Sequence, residues 1–147
     1  MDGTCIRYII NNPGLVTESS YPYEAVTNVC RFNSSNVAGK ISSYVILPND
    51  EEILKNALST VGPIATAIDA TLDSFFTYSD GVYFDKACSQ YLTHAVLLVG
   101  YGTDPEYGDY WICKNSWVIF FISILDHLKN KNHFTEHQLG RRRIFPN

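Results

Sequence analysis

His94 interrupts the apolar run 92–99, and Asn115 interrupts a second apolar run, 110–116. An imidazole or amide buried in such surroundings costs stability unless it finds a hydrogen-bond partner. Taken singly, each reads as structural: a satisfied strand histidine and a strand-end amide. Taken together they suggest a pair in which the amide oxygen accepts from the imidazole. That contact fixes the ring's tautomer and orientation, and the remaining ring nitrogen is then able to act as a base. Trp117, close after Asn115, either shields the pair from water or is plain core. Cys5, Cys30, Cys88 and Cys113 include no CxxC, and their wide spacing lacks the close ligand pairs of zinc sites. No metal or other cofactor is expected. More than one disulfide pairing is open to these cysteines on spacing alone. Asn33-Ser34-Ser35 forms a sequon in a polar stretch and hints at a secreted context.

The elements that must position His94 and Asn115 follow from pattern. Residues 92–99, rich in Leu and Val, read as a buried strand that ends at Gly100-Tyr101-Gly102. Alternation puts Leu92, His94, Val96 and Leu98 on one face and Thr93, Ala95, Leu97 and Val99 on the other. The acidic loop 104–109 leads into a strand over 110–116, so the two strands make an antiparallel hairpin. Upstream, 37–47 and 64–68 are strand-like. The best helical pattern follows Asn49, an N-cap candidate with Glu52 as its capping-box partner. Ile53, Leu54, Ala57, Leu58 and Val61 form its apolar stripe, and Gly62-Pro63 stops it. A short helix is expected over 2–10, an extended loop over 17–25, and a helical turn over 72–78. Ser79-Asp80-Gly81 turns the chain into Val82-Tyr83-Phe84.

The 147 residues suffice for one domain, and 46 % apolar with 18 % charged residues is an ordinary globular balance. The net charge of −4 leaves no basic stripe for nucleic acid. No apolar run is long enough for a membrane span. The residues from Met1 to Cys5 lack the apolar core of a signal peptide. Charge is uneven: residues 1–117 carry a net −7 and residues 118–147 a net +3. All ten tyrosines and both tryptophans precede Val118. This break sets an expected boundary, with 1–117 as one coherent sequence and 118–147 as a tail that is poorly ordered.

Thr93-His94-Ala95-Val96-Leu97-Leu98-Val99-Gly100-Tyr101-Gly102, followed by Tyr110-Trp111-Ile112-Cys113-Lys114-Asn115-Ser116-Trp117, resembles the histidine and asparagine blocks of papain-like cysteine peptidases, the cathepsin L-like branch above all. Gly62-Pro63-Ile64, Ala67-Ile68-Asp69-Ala70, Phe76-Tyr78-Gly81-Val82-Tyr83 and Glu18-Ser19-Ser20-Tyr21-Pro22-Tyr23 match the same branch in the same order. The resemblance covers 1–117. It implies an α+β papain-like fold, here mostly the β-barrel-like right lobe with a remnant of the helical left lobe. It also implies peptide hydrolysis through a thioester. His94 is then the catalytic histidine, Asn115 the residue that orients it, and Trp117 the cover over their contact. Met1, Ala67, Leu92 and Ala95 fall where the family lines its cleft, chiefly the pocket for the substrate's second side chain. The family usually has glycine at the Ala95 position.

The resemblance further implies peptide or protein substrates, cystatin-like inhibitors, a monomer, and a lysosomal or secreted location. The family's nucleophile lies in a Cys-Gly-Ser-Cys-Trp-like motif after an oxyanion glutamine, and neither occurs in this sequence. The chain is therefore expected to be the C-terminal half, truncated at both ends. It holds the His/Asn half of the site and is inactive alone, at most binding peptides or inhibitors. Cys30 and Cys88 are expected to lack their family partners and not to bond to each other.

Overall fold

The computed structural model describes residues 4–117, 121–125 and 137–143. The chain forms two units, one holding Ile46–Leu139 and the other Asp2–Val45 with Gly140–Asn147.

The smaller unit begins with α1 (Thr4–Asn11), whose Ile6 is buried and Ile9 and Ile10 half-buried, while Cys5, Arg7 and Tyr8 face water. The helical spacing of Cys5, Ile6, Ile9 and Ile10 in the sequence is matched by the three isoleucines but not by Cys5. β1 (Leu15–Val16) pairs antiparallel with β2 (Val37–Leu47). Gly14 makes the pairing possible: its φ is +140°, and a Cβ there would lie 2.3 Å from the Gly39 carbonyl oxygen. Between these strands the chain runs as turns and loop around Pro22, as expected there, and then as a short 3-10 helix at Ser34–Asn36. The Tyr21 hydroxyl accepts from the Arg31 backbone N–H, and the Arg31 guanidinium pairs with Glu24.

The larger unit is a sheet backed by short helices. α2 (Glu51–Thr60) is capped by Asp50, whose Oδ1 accepts from the Ile53 N–H at 3.0 Å. The cap is thus one residue later than Asn49. Both types cap well, but the Asp50 carboxylate also interacts favourably with the helix dipole. The buried stripe is narrower than expected: Leu54 and Leu58 are buried, whereas Ile53 and Val61 are exposed. β3 (Ile64–Ile68) follows, then α3 (Asp73–Phe76) and β4 (Val82–Tyr83).

β5 (His94–Asp104) and β6 (Gly108–Lys114) form the expected antiparallel hairpin. β5 does not stop at Gly100-Tyr101-Gly102 but runs through it. Gly100 lies under the Ile112 side chain, and a Cβ on Gly102 would fall 2.6 Å from the Tyr110 ring. These glycines admit large cross-strand neighbours, and an irregularity between Leu98 and Gly100 absorbs the shift in register.

β7 (Phe121–Leu125), beyond the expected boundary at Trp117, pairs antiparallel with β6 and parallel with β4. β3 pairs antiparallel with β5, and Gln138 of β8 (His137–Arg143) pairs with Ala65 of β3. Leu54, Leu58, Ile64, Ile68, Phe75, Val96, Leu98, Trp111, Cys113 and Ile124 form one core cluster. Both ends of the His94–Asn115 region are therefore anchored on packed strands.

Candidate active site

His94 opens β5 and Asn115 directly follows β6, so the hairpin brings them together across the same end of the sheet. His94 Nε2 lies 2.8 Å from Asn115 Oδ1. The Ser116 backbone N–H donates to the same oxygen, also at 2.8 Å. A backbone N–H can only donate, so the atom facing both groups is the amide oxygen, and the imidazole must carry its proton on Nε2. In the neutral ring this leaves the lone pair on Nδ1. Asn115 is only 4 % exposed, while His94 is half-buried. The amide is held within the protein, and His94 lies nearer the surface.

Aromatic rings lie beside the imidazole. The Trp117 and His94 ring centroids are 4.4 Å apart. Trp117 stacks in turn on Phe76 at 5.4 Å and meets Phe75 edge-on at 5.6 Å. Trp117 remains 37 % exposed, so it is a cover on the imidazole rather than part of the core. Phe75 and Phe76 come from α3, which the sequence suggests only as a helical turn. Their part under Trp117 depends on tertiary packing that no local pattern signals.

The strand that carries His94 is fixed at its start by a second polar cluster. The Thr93 N–H donates to the Ile68 carbonyl, and Thr93 Oγ1 accepts from the Ala70 N–H at 3.0 Å. Asp69 accepts from the Thr71 N–H and hydroxyl and from the Ser89 N–H and hydroxyl, at 2.7–3.0 Å. Burial alone would raise its carboxyl, but these four bonds hold it down at about 2. Asp69 thereby ties the end of β3 to the loop that leads into β5. The sequence shows Asp69 only as one letter of a longer motif.

Of the residues expected to line a cleft, Ala67 and Ala95 are cross-strand partners on β3 and β5, next to the Ile68–His94 pair. Alternation turns the Ala67–Ala95 pair to the face opposite Ile68 and His94. Ala67 is buried, Ala95 exposed and Leu92 half-buried. Met1 lies outside the described residues. Among the cysteines, Cys5 and Cys30 are exposed and Cys113 is buried. Burial pushes the Cys113 thiol up to about 12. Burial, then the Asp69 charge, pushes Cys88 to about 11. Neither thiol of the larger unit is a ready thiolate at neutral pH.

The family model described as "Papain family cysteine protease" matches residues 1–121. The chain is 53 % identical over 113 residues to a cathepsin L-like peptidase of Aedes aegypti, covering 76 % of this chain and 33 % of that protein. It is 55 % identical over 113 residues to a cathepsin L-like protein of Caenorhabditis elegans, covering 76 % of this chain and 34 % of the relative. The chain thus spans about a third of the length of these curated relatives. Among solved structures, digestive procathepsin L2 proteinase from the larval midgut of Tenebrio molitor superposes with a TM-score of 0.84 at 35 % identity. That match covers 92 % of this chain and 45 % of the other. The fold is α+β and papain-like, and the chain belongs to the papain family of cysteine proteases, in its cathepsin L-like branch.

Proposed function

We propose that this chain supplies the histidine–asparagine half of a peptide-hydrolysing site. The observation that carries the reading is the 2.8 Å contact between His94 Nε2 and Asn115 Oδ1, with that oxygen also held by Ser116. His94 Nδ1 takes the proton of an attacking cysteine thiol and later returns it to the leaving amine. Asn115 keeps the ring in the tautomer that leaves Nδ1 open. Trp117 limits water access to the Nε2–H bond, which keeps that bond strong. Ala67, Leu92 and Ala95 line the pocket for the substrate's second side chain, and the methyl of Ala95 narrows that pocket relative to glycine. Substrates are peptides or proteins, the compartment is lysosomal or secreted, and cystatin-like inhibitors are partners of the same cleft.

The attacking thiol lies outside these 147 residues. The sequence contains no Cys-Gly-Ser-Cys-Trp-like motif, and Cys88 and Cys113 are held as thiols by burial. The chain alone therefore turns over no peptide. The test is co-refolding of this chain with a left-lobe segment of a cathepsin L-like relative that carries the motif, followed by assay with a fluorogenic dipeptide substrate. Turnover is expected for the pair, with a loss of about 10²-fold or more in His94→Ala. Turnover that survives His94→Ala refutes the role of His94. Turnover by the chain alone that vanishes in Cys5→Ala refutes the placement of the nucleophile.

A further inference from the structure

The sequon Asn33-Ser34-Ser35 takes no part in the site described above. It is the only position in the sequence where asparagine is followed two residues later by serine or threonine. All three residues are exposed, just ahead of β2. The Asn33 backbone is extended, with φ −125° and ψ 117°, and its Oδ1 accepts from the Ser35 N–H at 3.0 Å. This Asx turn is closed by residues two apart, so it forms locally and does not wait for the rest of the fold. With Oδ1 turned toward the chain, the other end of the amide, Nδ2, points away from the turn. Ser35 contributes its backbone N–H to the turn, so its hydroxyl is not consumed in closing it. A bulky group added at Asn33 displaces no core residue, because the core cluster draws on none of residues 33–35.

We infer that Asn33 Nδ2 is the acceptor of an N-linked glycan. In the transfer, Nδ2 bonds to the anomeric carbon of an oligosaccharide carried on a lipid pyrophosphate. The bond from that carbon to the phosphate oxygen breaks, and the lipid pyrophosphate leaves with the electron pair. The amide proton passes to a base of the transferase, and no electron transfer is involved. The inference rests on the lysosomal or secreted reading, because donor and transferase act in the secretory lumen.

The test expresses the full chain in insect cells behind a cleavable secretory signal. The signal forces entry to the lumen, so a failure there belongs to this inference and not to the compartment reading. One endoglycosidase-sensitive shift is expected, and deglycosylation in heavy-oxygen water should convert Asn33 to labelled Asp in the peptide spectrum. Asn33→Asp keeps an oxygen for the Ser35 N–H but removes the nitrogen. Ser35→Ala keeps the turn but removes the hydroxyl. Both should be unmodified, while Ser35→Thr should be occupied at least as fully as the natural chain. Secreted and lumen-retained pools are both scored, so poor export of a variant does not hide the result. A protease-protected lumenal chain with no glycan on Asn33, in the natural sequence and in Ser35→Thr, overturns the inference. So does a shift that persists in Asn33→Asp.

Discussion

Replacing Asp69 by asparagine should weaken the larger unit by about 2 kcal/mol at neutral pH, and the deficit should vanish in acid. The magnitude follows from the site. Asp69 is 4 % exposed and accepts four hydrogen bonds, two from Thr71 and two from Ser89. Burial opposes the charge, but the hydrogen bonds outweigh it and move the carboxyl from an ordinary 3.8 to about 2. Each pKa unit corresponds to about 1.4 kcal/mol of preference for the charged form in the folded state. Because the folded value is the lower one, the stabilisation is complete above the unfolded pKa of 3.8 and is lost as pH falls through about 2. Asparagine retains one acceptor oxygen but sets an NH2 against a donor, since Thr71 and Ser89 both present backbone N–H groups. Urea unfolding followed by tryptophan emission reads the right unit, because Trp111 and Trp117 both lie within Ile46–Leu139. The natural chain should lose its advantage over Asp69→Asn across that acid window. A gap of constant size from neutral pH down to about 2 would show that ionisation of Asp69 is not the source. Equal stability at neutral pH would refute the clamp itself.

Cys113, fully buried with its thiol pushed up to about 12, should resist iodoacetamide in the folded chain, whereas Cys5 and Cys30 are exposed and should label first. Mass spectrometry of timed digests checks the order, and native labelling of Cys113 as fast as Cys5 contradicts it. Gly14→Ala should destabilise the smaller unit by more than about 1 kcal/mol, since φ is +140° and the new methyl meets the Gly39 carbonyl. Amide exchange in β1 and β2 should accelerate, and unchanged protection there would refute the packing argument.

The parts of this fold that the sequence displays are those set by local periodicity. β2 and β3 have the expected bounds because their branched and apolar residues have no local competitor. The hairpin that joins His94 to Asn115 is visible because two polar residues stand out at the ends of two apolar runs separated by a short acidic loop, although β6 stops at Lys114 and leaves Asn115 just outside the strand. Where local rules offer two equivalent answers, the structure chooses on other grounds. Asn49 and Asp50 are both good caps, and only Asp50 reaches Ile53. Gly100 and Gly102 resemble a strand end, yet they serve close approach to Ile112 and Tyr110 on the neighbouring strand. Contacts made across long stretches of sequence leave no local trace. The Asp69–Ser89 clamp, the Phe75–Phe76 bed under Trp117 and the parallel pairing of β4 with β7 are of that kind. The same holds for the pairing of Ala67 with Ala95, which depends on strand register.

The proposed role of His94 requires that Asn115 hold the ring with its proton on Nε2 and Nδ1 open. Long-range proton–nitrogen NMR of the imidazole, at a pH where the ring is neutral, reads both nitrogens in this chain as it stands. An unprotonated Nδ1 is expected, with a slowly exchanging Nε2–H resonance that is lost in Asn115→Ala. A proton on Nδ1 in the natural chain, or an Nε2–H resonance equally protected in Asn115→Ala, would contradict it.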